Sequence, residues 1–228
     1  MKKIIIALAT AGLFGATGAA QANVISFSAD KAETLTAWND VLTFGKFNSN
    51  LGTLNSITFE LSGTVTGSGR AESLDASPST VTLSLSSLLK LTRPDGSTIV
   101  VTNPVFSNAY NLGAFDGAID FAGASGVKTG AVSSSHSESY NSTSASDFAL
   151  FSQAGGGTIK LALGATGLSS GSGAGNLLSQ FNTSAAGSVK VSYDYTAAPV
   201  PEPETYAMLI GGLGLLGLVR RRAAKKAA

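Results

Sequence analysis

The sequence predicts an all-β fold, a single antiparallel β-sandwich or jelly-roll-like domain, and three observations support this prediction. Apolar and polar residues alternate in four runs, as strands with one buried and one solvated face require: residues 57–65, 81–85, 159–163 and 189–195. Segments rich in Ser, Thr and Gly separate these runs. Helical patterning is weak, and an open sheet would leave its apolar face uncovered, so two packed layers are favoured.

The period of the four runs also predicts the core. Residues two apart lie on the same face of a strand, so the apolar members of each run should point inward together. The predicted core therefore includes Phe59, Leu61, Leu83, Leu161 and Val191.

Four further segments are predicted to be strands: residues 24–29, 42–47, 88–92 and 97–102. The last two flank Arg93-Pro94-Asp95-Gly96, in which Pro94 fixes φ and the Asp-Gly pair favours a turn. These two segments should therefore form a hairpin.

Four segments lack a clear strand pattern. Residues 32–38 and 176–181 are each predicted to hold a single helical turn. Residues 131–146, which are mostly serine, and the Gly/Ser-rich residues 164–175 are predicted to be surface loops.

Residues 1–22 are predicted to be a secretory signal peptide. Lys2 and Lys3 precede a short apolar stretch, and Ala20-Gln21-Ala22 places small side chains where signal peptidase has shallow pockets. Cleavage after Ala22 leaves residues 23–196 as the secreted domain. A retained membrane anchor is the alternative, which the short apolar run disfavours.

The C-terminus carries a second membrane-directed segment. Residues 197–204 form a spacer rich in Pro and Glu. Its alternating prolines cannot pair in a sheet and favour extended polyproline geometry. Residues 205–219 carry no charge and predict a transmembrane helix. The helix would be short, about 22 Å against a hydrocarbon core of about 30 Å. Because the helix is short, we expect it to anchor the protein only transiently. A permanent anchor is the alternative.

Flanking residues set the predicted orientation of this helix. Tyr206 is suited to the membrane interface, and Arg220, Arg221 and Arg222 follow the apolar run directly. Because arginines stay on the cytoplasmic side, residues 220–228 are predicted to be a basic cytoplasmic tail.

The order of these C-terminal elements resembles the PEP-CTERM sorting signal. Val200, Pro201, Glu202 and Pro203 are followed by a short, Gly-interrupted apolar helix and then by arginines. The resemblance implies processing by an exosortase in the inner membrane of a Gram-negative bacterium, and a link to exopolysaccharide and the biofilm matrix. The tail departs from the pattern, since Lys225 and Lys226 extend it past the arginines.

The body of the chain resembles a domain called choice-of-anchor E. This name implies a secreted β fold attached to differing surface anchors, and it implies no known activity. The motifs that carry the resemblance are Phe44-Gly45-Lys46-Phe47, Leu51-Gly52-Thr53-Leu54, Phe115-Asp116-Gly117, Asp120-Phe121-Ala122-Gly123 and residues 189–195.

Charge and cysteine content exclude several classes of function. Seven of the 15 Lys and Arg residues lie in the terminal segments, so residues 23–204 hold eight of them against all 14 acids, a net charge of −6. An acidic domain with scattered bases is a poor nucleic-acid binder. The chain has no cysteine, which excludes disulfides, thiol catalysis and Cys-metal sites.

Candidate catalytic and metal-binding residues are few. His136 lies in a serine run next to Glu138, but triads are assembled from separate rigid elements, so a solvated loop histidine is favoured. Asp116, Asp120 and Asp147 form a candidate calcium set whose spacing matches no calcium motif, and we expect no calcium requirement. Trp38 is a candidate sugar platform, although a single aromatic more often packs.

These observations predict an exported, non-enzymatic protein of the cell surface or extracellular matrix, sorted by an exosortase and tied to exopolysaccharide. The expected partners are signal peptidase, exosortase, transiently the inner membrane, and exopolysaccharide, with no nucleic acid and no cofactor. A carbohydrate-binding module of that matrix is the alternative. A secreted hydrolase with paired carboxylates is a third possibility, which no pair of residues marks.

The mature protein is predicted to begin at Asn23. Sequencing the N-terminus or measuring the intact mass of the exported protein checks this, and a product that retains Lys2 and Lys3 would contradict it. Replacing Ala22 with Phe should leave the precursor uncut, because a large side chain does not fit the peptidase pocket.

Overall fold

The computed structural model of the protein describes residues 22–198 and, beyond them, only Ile210 and Leu213. Within residues 22–198 the chain forms thirteen strands, one short 3₁₀ helix (Ser49–Leu51) and one α-helix, α1 (Ala145–Phe151). The strands are β1 (Ala22–Leu35), β2 (Trp38–Gly45), β3 (Phe47–Asn48), β4 (Gly52–Ser73), β5 (Ser79–Thr92), β6 (Thr98–Thr102), β7 (Val105–Leu112), β8 (Gly126–Lys128), β9 (Val132–Ser142), β10 (Ser152–Gln153), β11 (Thr158–Gly167), β12 (Ser170–Ser172) and β13 (Leu177–Ala197).

The first sheet is built around β4 and β13. These two strands pair antiparallel along their whole length, from Gly52 opposite Ala197 to Ser73 opposite Leu177. β1 pairs with the other side of β13, and β8 and β9 share the free side of β4. The sheet therefore has two very long central strands with shorter strands on each side.

The second sheet is built around β5. β11 and β12 pair with one side of β5, while β6 and β7 pair with the other, and β2 lies beyond β11. All pairs in both sheets are antiparallel. Among the described residues, the one parallel pair joins the two-residue strands β3 and β10.

The two sheets pack face to face around one main hydrophobic core. The five predicted core residues all have 0% exposure, which confirms the prediction for Phe59, Leu61, Leu83, Leu161 and Val191. Two glycines allow close approach between the layers. A Cβ on Gly63 would lie 2.9 Å from Leu89 Cδ1, and a Cβ on Gly187 would lie 2.9 Å from Leu163 Cδ2.

On one side of the sandwich the chain passes directly from one sheet to the other. The Thr36 amide donates to the Thr183 carbonyl of β13 in the first sheet, and the Ala37 amide donates to the Ala165 carbonyl of β11 in the second, both at 3.0 Å. Ala37 has a φ of 70°, an unusual conformation for a residue with a side chain. The corner between β1 and β2 thus links the two layers.

The all-β, antiparallel prediction is confirmed, and the four alternating runs lie within β4, β5, β11 and β13. The predicted hairpin is also present, between β5 and β6. Its turn is closed by the Arg93 amide, which donates to the Ser97 carbonyl at 2.9 Å, and Gly96 has a φ of 86°. Glycine adopts this conformation without a steric penalty.

Both predicted helical turns are wrong. Residues 32–38 belong to the end of β1, the corner and the start of β2, and residues 176–181 lead into β13, where Gln180 pairs with Arg70. Leu177 and Phe181 pack together against Ala71, Val81, Leu83 and Leu112. Residues four apart share a face in a strand as well as in a helix, so this spacing did not discriminate between the two.

The predicted loops are largely wrong as well. Most of residues 131–146 form β9, and residues 164–175 contain the end of β11 and all of β12. The serines of β9 fit a strand because their hydroxyls pair across it: Ser135 Oγ lies 2.8 Å from Thr64 Oγ1 and Ser137 Oγ lies 2.7 Å from Ser62 Oγ. Cross-strand hydroxyl pairs stabilise such a strand despite its low hydrophobicity.

Helix α1 was missed, although the sequence holds its start signal. Ser144 is the N-cap, and its hydroxyl accepts a hydrogen bond from the Asp147 amide at 3.2 Å. A serine followed three residues later by an acid is a helix N-terminus signature. Phe151 at the end of the helix packs edge-on against Phe59, with ring centroids 5.0 Å apart.

A bidentate ion pair fastens α1 to the β5–β6 hairpin. Arg93 Nε and Nη2 donate to the two carboxylate oxygens of Asp147 at 2.7 and 2.9 Å, and the Asp147 side chain is only 4% exposed. These bonds from Arg93, and a further one from Ser142, hold the pKa of Asp147 below its ordinary value.

Replacing Leu161 with Asp is predicted to unfold the protein. An unpaired carboxylate in the main core costs several kcal/mol, a large share of the stability of a domain this size. Thermal or urea unfolding measures the effect. The control is Thr158→Asp, which places the same side chain at an exposed position of the same strand and should melt close to the parent. Equal melting of the two variants would show the core assignment to be wrong.

Replacing Asp147 with Asn is predicted to lower the free energy of unfolding by about 3 kcal/mol at pH 7, because Arg93 loses its buried partner. Asp95→Asn removes a charge from the same hairpin at an exposed position and should change stability little. Since the folded pKa of Asp147 is lowered, its contribution is present above about pH 4 and is lost as the pH falls further. The difference in the free energy of unfolding between the parent and Asp147→Asn, measured in urea, should therefore become smaller as the pH is lowered below about 4.

Candidate functional site

The predicted signal residues fall almost entirely outside the described part of the chain. This applies to Ala20, Val200, Pro201, Glu202, Pro203, Tyr206, Arg220, Arg221 and Arg222. Ala22 is the first residue of β1 and pairs with Thr196 of β13. The predicted signal-peptide junction and the start of the predicted spacer therefore meet at the same end of the first sheet.

His136 lies on strand β9 and not in a loop. Its side chain is half exposed, with Nδ1 3.1 Å from Thr102 Oγ1 and 3.8 Å from Glu138 Oε1. The neighbouring Ser135 and Ser137 point to the opposite face of the strand, where they bond to Thr64 and Ser62. Neither serine can therefore donate to the imidazole, and this run does not assemble a Ser-His-acid triad.

The three aspartates of the candidate calcium set do not come together. Asp147 is bound to Arg93. Asp116 and Asp120 instead accept hydrogen bonds from backbone amides two residues on, those of Ala118 and Ala122. The bond from the Ala118 amide is the main cause of the lowered pKa of Asp116. Within residues 22–198, no group of three or more His, Asp or Glu side chains is placed to hold a metal ion.

Trp38 is partly buried and packs against the main core. The Lys31 ammonium lies 5.7 Å from the centroid of its ring, so one face of the indole is already occupied. The side chain is therefore a poor stacking platform for a sugar.

A buried carboxylate that sequence reasoning missed organises one end of the first sheet. Glu72 has 0% exposure although it points to the outer face of β4, because the loop between β7 and β8 folds over it. Glu72 Oε2 accepts from the Phe121 amide at 2.7 Å, and Oε1 accepts from Ser125 Oγ at 2.6 Å. Phe121 has a φ of 56°, which this anchoring holds in place.

The anchored loop places Phe121 against Arg70, which lines a polar pocket, here called the basic pocket. It has a volume of about 390 Å³ and is lined mainly by exposed side chains of β4, β8 and β13, among them Arg70, Lys128 and Gln180. The Arg70 guanidinium lies 4.4 Å from the centroid of the Phe121 ring. No sequence motif marks this pocket, since its two cations are far apart in the chain.

A second, shallower groove adjoins the basic pocket and shares Ser68, Gly130 and Asn182 with it. Its volume is about 720 Å³, and its lining includes the hydroxyls of Thr66, Ser133 and Ser184. It also includes Glu33, whose carboxylate accepts from Thr66 Oγ1 at 2.5 Å. Together the two form a continuous polar channel on the outer face of the first sheet.

Comparison with known structures gives only weak likenesses. A chain of infectious bursal disease virus, Gx strain, is 12% identical, with 78% of this chain and 37% of that chain covered and a TM-score of 0.22. The VP2 subviral particle of that virus is 13% identical, with 84% of this chain and 42% of that chain covered and a TM-score of 0.20. Desmodium yellow mottle tymovirus is 8% identical, with 89% of this chain and 99% of that chain covered and a TM-score of 0.21. This chain spans less than half of the two bursal disease virus chains, and scores this low carry no argument.

No curated protein matches the chain. Among the described residues, no helix has both the length and the apolar character needed to cross a bilayer, and the predicted helix over 205–219 lies outside them apart from Ile210 and Leu213. The resemblance of the body to choice-of-anchor E stays a prediction.

Residues 199–223 match a family model described as the PEP-CTERM protein-sorting motif. The matched range begins two residues after the end of β13 and contains the Val200-Pro201-Glu202-Pro203 sequence and the three arginines. The roles of these single residues stay predictions. The chain thus carries the sorting motif of an exported protein that is membrane-anchored before processing and has an exosortase as its processing partner.

Proposed function

We propose that this is a non-enzymatic protein of the cell surface or extracellular matrix, released from the membrane by an exosortase and working within exopolysaccharide. The observation that carries the proposal is the sorting motif at residues 199–223, attached directly to the central strand β13. Release at this point would free a folded domain whose last strand is paired on both sides.

The outer face of the first sheet supports a role in a hydrated matrix. Hydroxyl side chains face each other across neighbouring strands, such as Ser26 and Ser192 with oxygens 2.9 Å apart. The pairs between β9 and β4 continue the same pattern on the other side of β13. A face of this kind offers many donors and acceptors to polysaccharide hydroxyls.

The contacts of the acidic side chains favour a non-enzymatic role. Asp147 holds Arg93, Asp40 holds Lys31 at 3.0 Å and Glu60 holds Lys190 at 3.3 Å. Asp75 accepts from the amides of Gly175 and Asn176. Carboxylates engaged in this way stabilise the fold and are poorly suited to general acid or base work.

A carbohydrate-binding module of the same matrix is the second candidate function. The polar channel formed by the basic pocket and its neighbouring groove favours it. Such a module would share the sorting route and differ only in having a defined ligand.

Replacing Pro201, Glu202 and Pro203 together with Ala is predicted to trap the full-length protein in the inner membrane, because the extended segment that the sorting enzyme recognises is lost. Cell fractionation and immunoblotting measure the ratio of membrane-bound to released protein. The control Glu204→Ala removes one acid just beyond the Pro-Glu-Pro sequence and should be released normally. Normal release of the triple variant would contradict exosortase sorting through this sequence and leave a permanent anchor.

A further inference from the structure

Two positive side chains face each other in the basic pocket without a carboxylate between them. Arg70 of β4 and Lys128 of β8 are directly opposite in the strand register and are both exposed on the outer face. Like charges in directly opposed positions destabilise a sheet. By contrast, Lys31, Arg93 and Lys190 each pair with a carboxylate. A net negative domain that leaves these two cations together has the electrostatics of an anion site.

The Arg70 guanidinium is held in a fixed orientation. Its Nε donates to Gln180 Oε1 at 2.7 Å and Nη2 donates to the same oxygen, while the Phe121 ring covers one face. Glu72 in turn fixes Phe121 through its amide. Among the described residues, Arg70 Nη1 and Lys128 Nζ have no hydrogen-bond or ion-pair partner. A guanidinium that is already oriented in this way lowers the entropic cost of binding a ligand.

The shape of the channel fits part of a polymer. The basic pocket, at about 390 Å³, has the size of a small-ligand site. The adjoining groove continues it with hydroxyl side chains, the Asn182 amide and the Glu33 carboxylate. These groups suit the hydroxyl groups of sugars, whereas Glu33 disfavours a second anionic group in the groove, so the charged sugar belongs in the basic pocket. The channel also lies far along the sheet from the Ala22–Thr196 end, next to which the sorting motif begins.

We propose that this channel binds an acidic polysaccharide, with the carboxylate of a uronic acid between Arg70 and Lys128 and neighbouring sugars along the groove past Ser68 and Asn182. Arginine presents paired donors that match a carboxylate, and the lysine adds a point charge. The assignment rests on the proposed function for the source of the polymer, since a matrix polysaccharide must meet the exported protein.

The test is calorimetric titration of the purified, released protein with oligomers of galacturonic acid. The parent protein should bind, and binding should weaken as salt is added. Lys128→Gln should weaken binding about tenfold, the factor that corresponds to the loss of one charged contact. Lys160→Gln is the matched control, because it removes the same charge from an exposed position on the second sheet and should bind like the parent.

Arg70→Lys supplies a second variant that keeps the charge and removes the planar fork. It should bind more weakly than the parent while melting at a similar temperature. Neutral dextran should not bind, and inorganic phosphate should bind far more weakly than the uronate oligomer. Equal binding by Lys128→Gln and the parent, equal binding of dextran, or phosphate as good a ligand as the oligomer would each overturn the assignment.

Failure here can be told apart from failure of the proposed function. A released protein that does not bind uronate oligomers contradicts the polysaccharide site and leaves exosortase sorting intact. Uronate binding by a protein whose Pro-Glu-Pro triple variant is released normally supports the site and removes the sorting route.

Discussion

The antiparallel pairing of β4 with β13 is the contact on which the rest of the structure depends. The chain has no cysteine, so no disulfide holds the fold, and backbone pairing and buried apolar surface carry most of its stability. β13 pairs on both sides along most of its length, and β4 supports β8 and β9 on its free side. The inward side chains of this pair, such as Phe59 opposite Val191, are completely buried. Breaking this pair would split the first sheet into two parts, β1 with β13 and β4 with β8 and β9, and would expose the buried side chains of both strands.

The same pair explains how one sheet can serve two purposes. Because side chains alternate along a strand, every inward apolar residue of β4 and β13 is followed by an outward residue that is free to be polar. Gly63 and Gly187 bring the inner layers close, while the outer positions carry hydroxyls, charges and amides. Glu72 is the exception, since it points outward and is buried under a loop that it anchors with two hydrogen bonds. Function at the outer face is therefore compatible with a well-packed interior.

Sequence periodicity correctly predicted the strands that have one apolar and one polar face. It failed for strands with few apolar residues. Phe59 and Leu161 sit in alternating runs, and both are in the core as predicted. Strand β9 has serine on one face and His136, Glu138 and Tyr140 on the other, so nothing in its hydrophobic pattern distinguishes it from a loop. Its partner β4 decides its conformation, through pairing that only the folded chain provides.

The basic pocket was invisible to sequence reasoning for a different reason. Arg70 and Lys128 become neighbours only because β8 pairs with β4, and the side chain that orients Arg70 comes from a loop fixed by Glu72. No local motif encodes such a site, whereas the sorting motif is contiguous and could be found without a structure.

Geometry also relates the sorting motif to the pocket. The spacer of residues 197–204 can reach at most about 28 Å when fully extended. Gln180 of the pocket lies sixteen positions from Thr196 along β13, which corresponds to about 50 Å at the rise of a strand. While the chain is still held at the membrane, the near end of the sheet is thus confined close to the bilayer and the pocket lies at the far end of a long, rigid strand pair. The tether therefore does not hold the pocket against the bilayer, and polymers outside the membrane can reach it both before and after release.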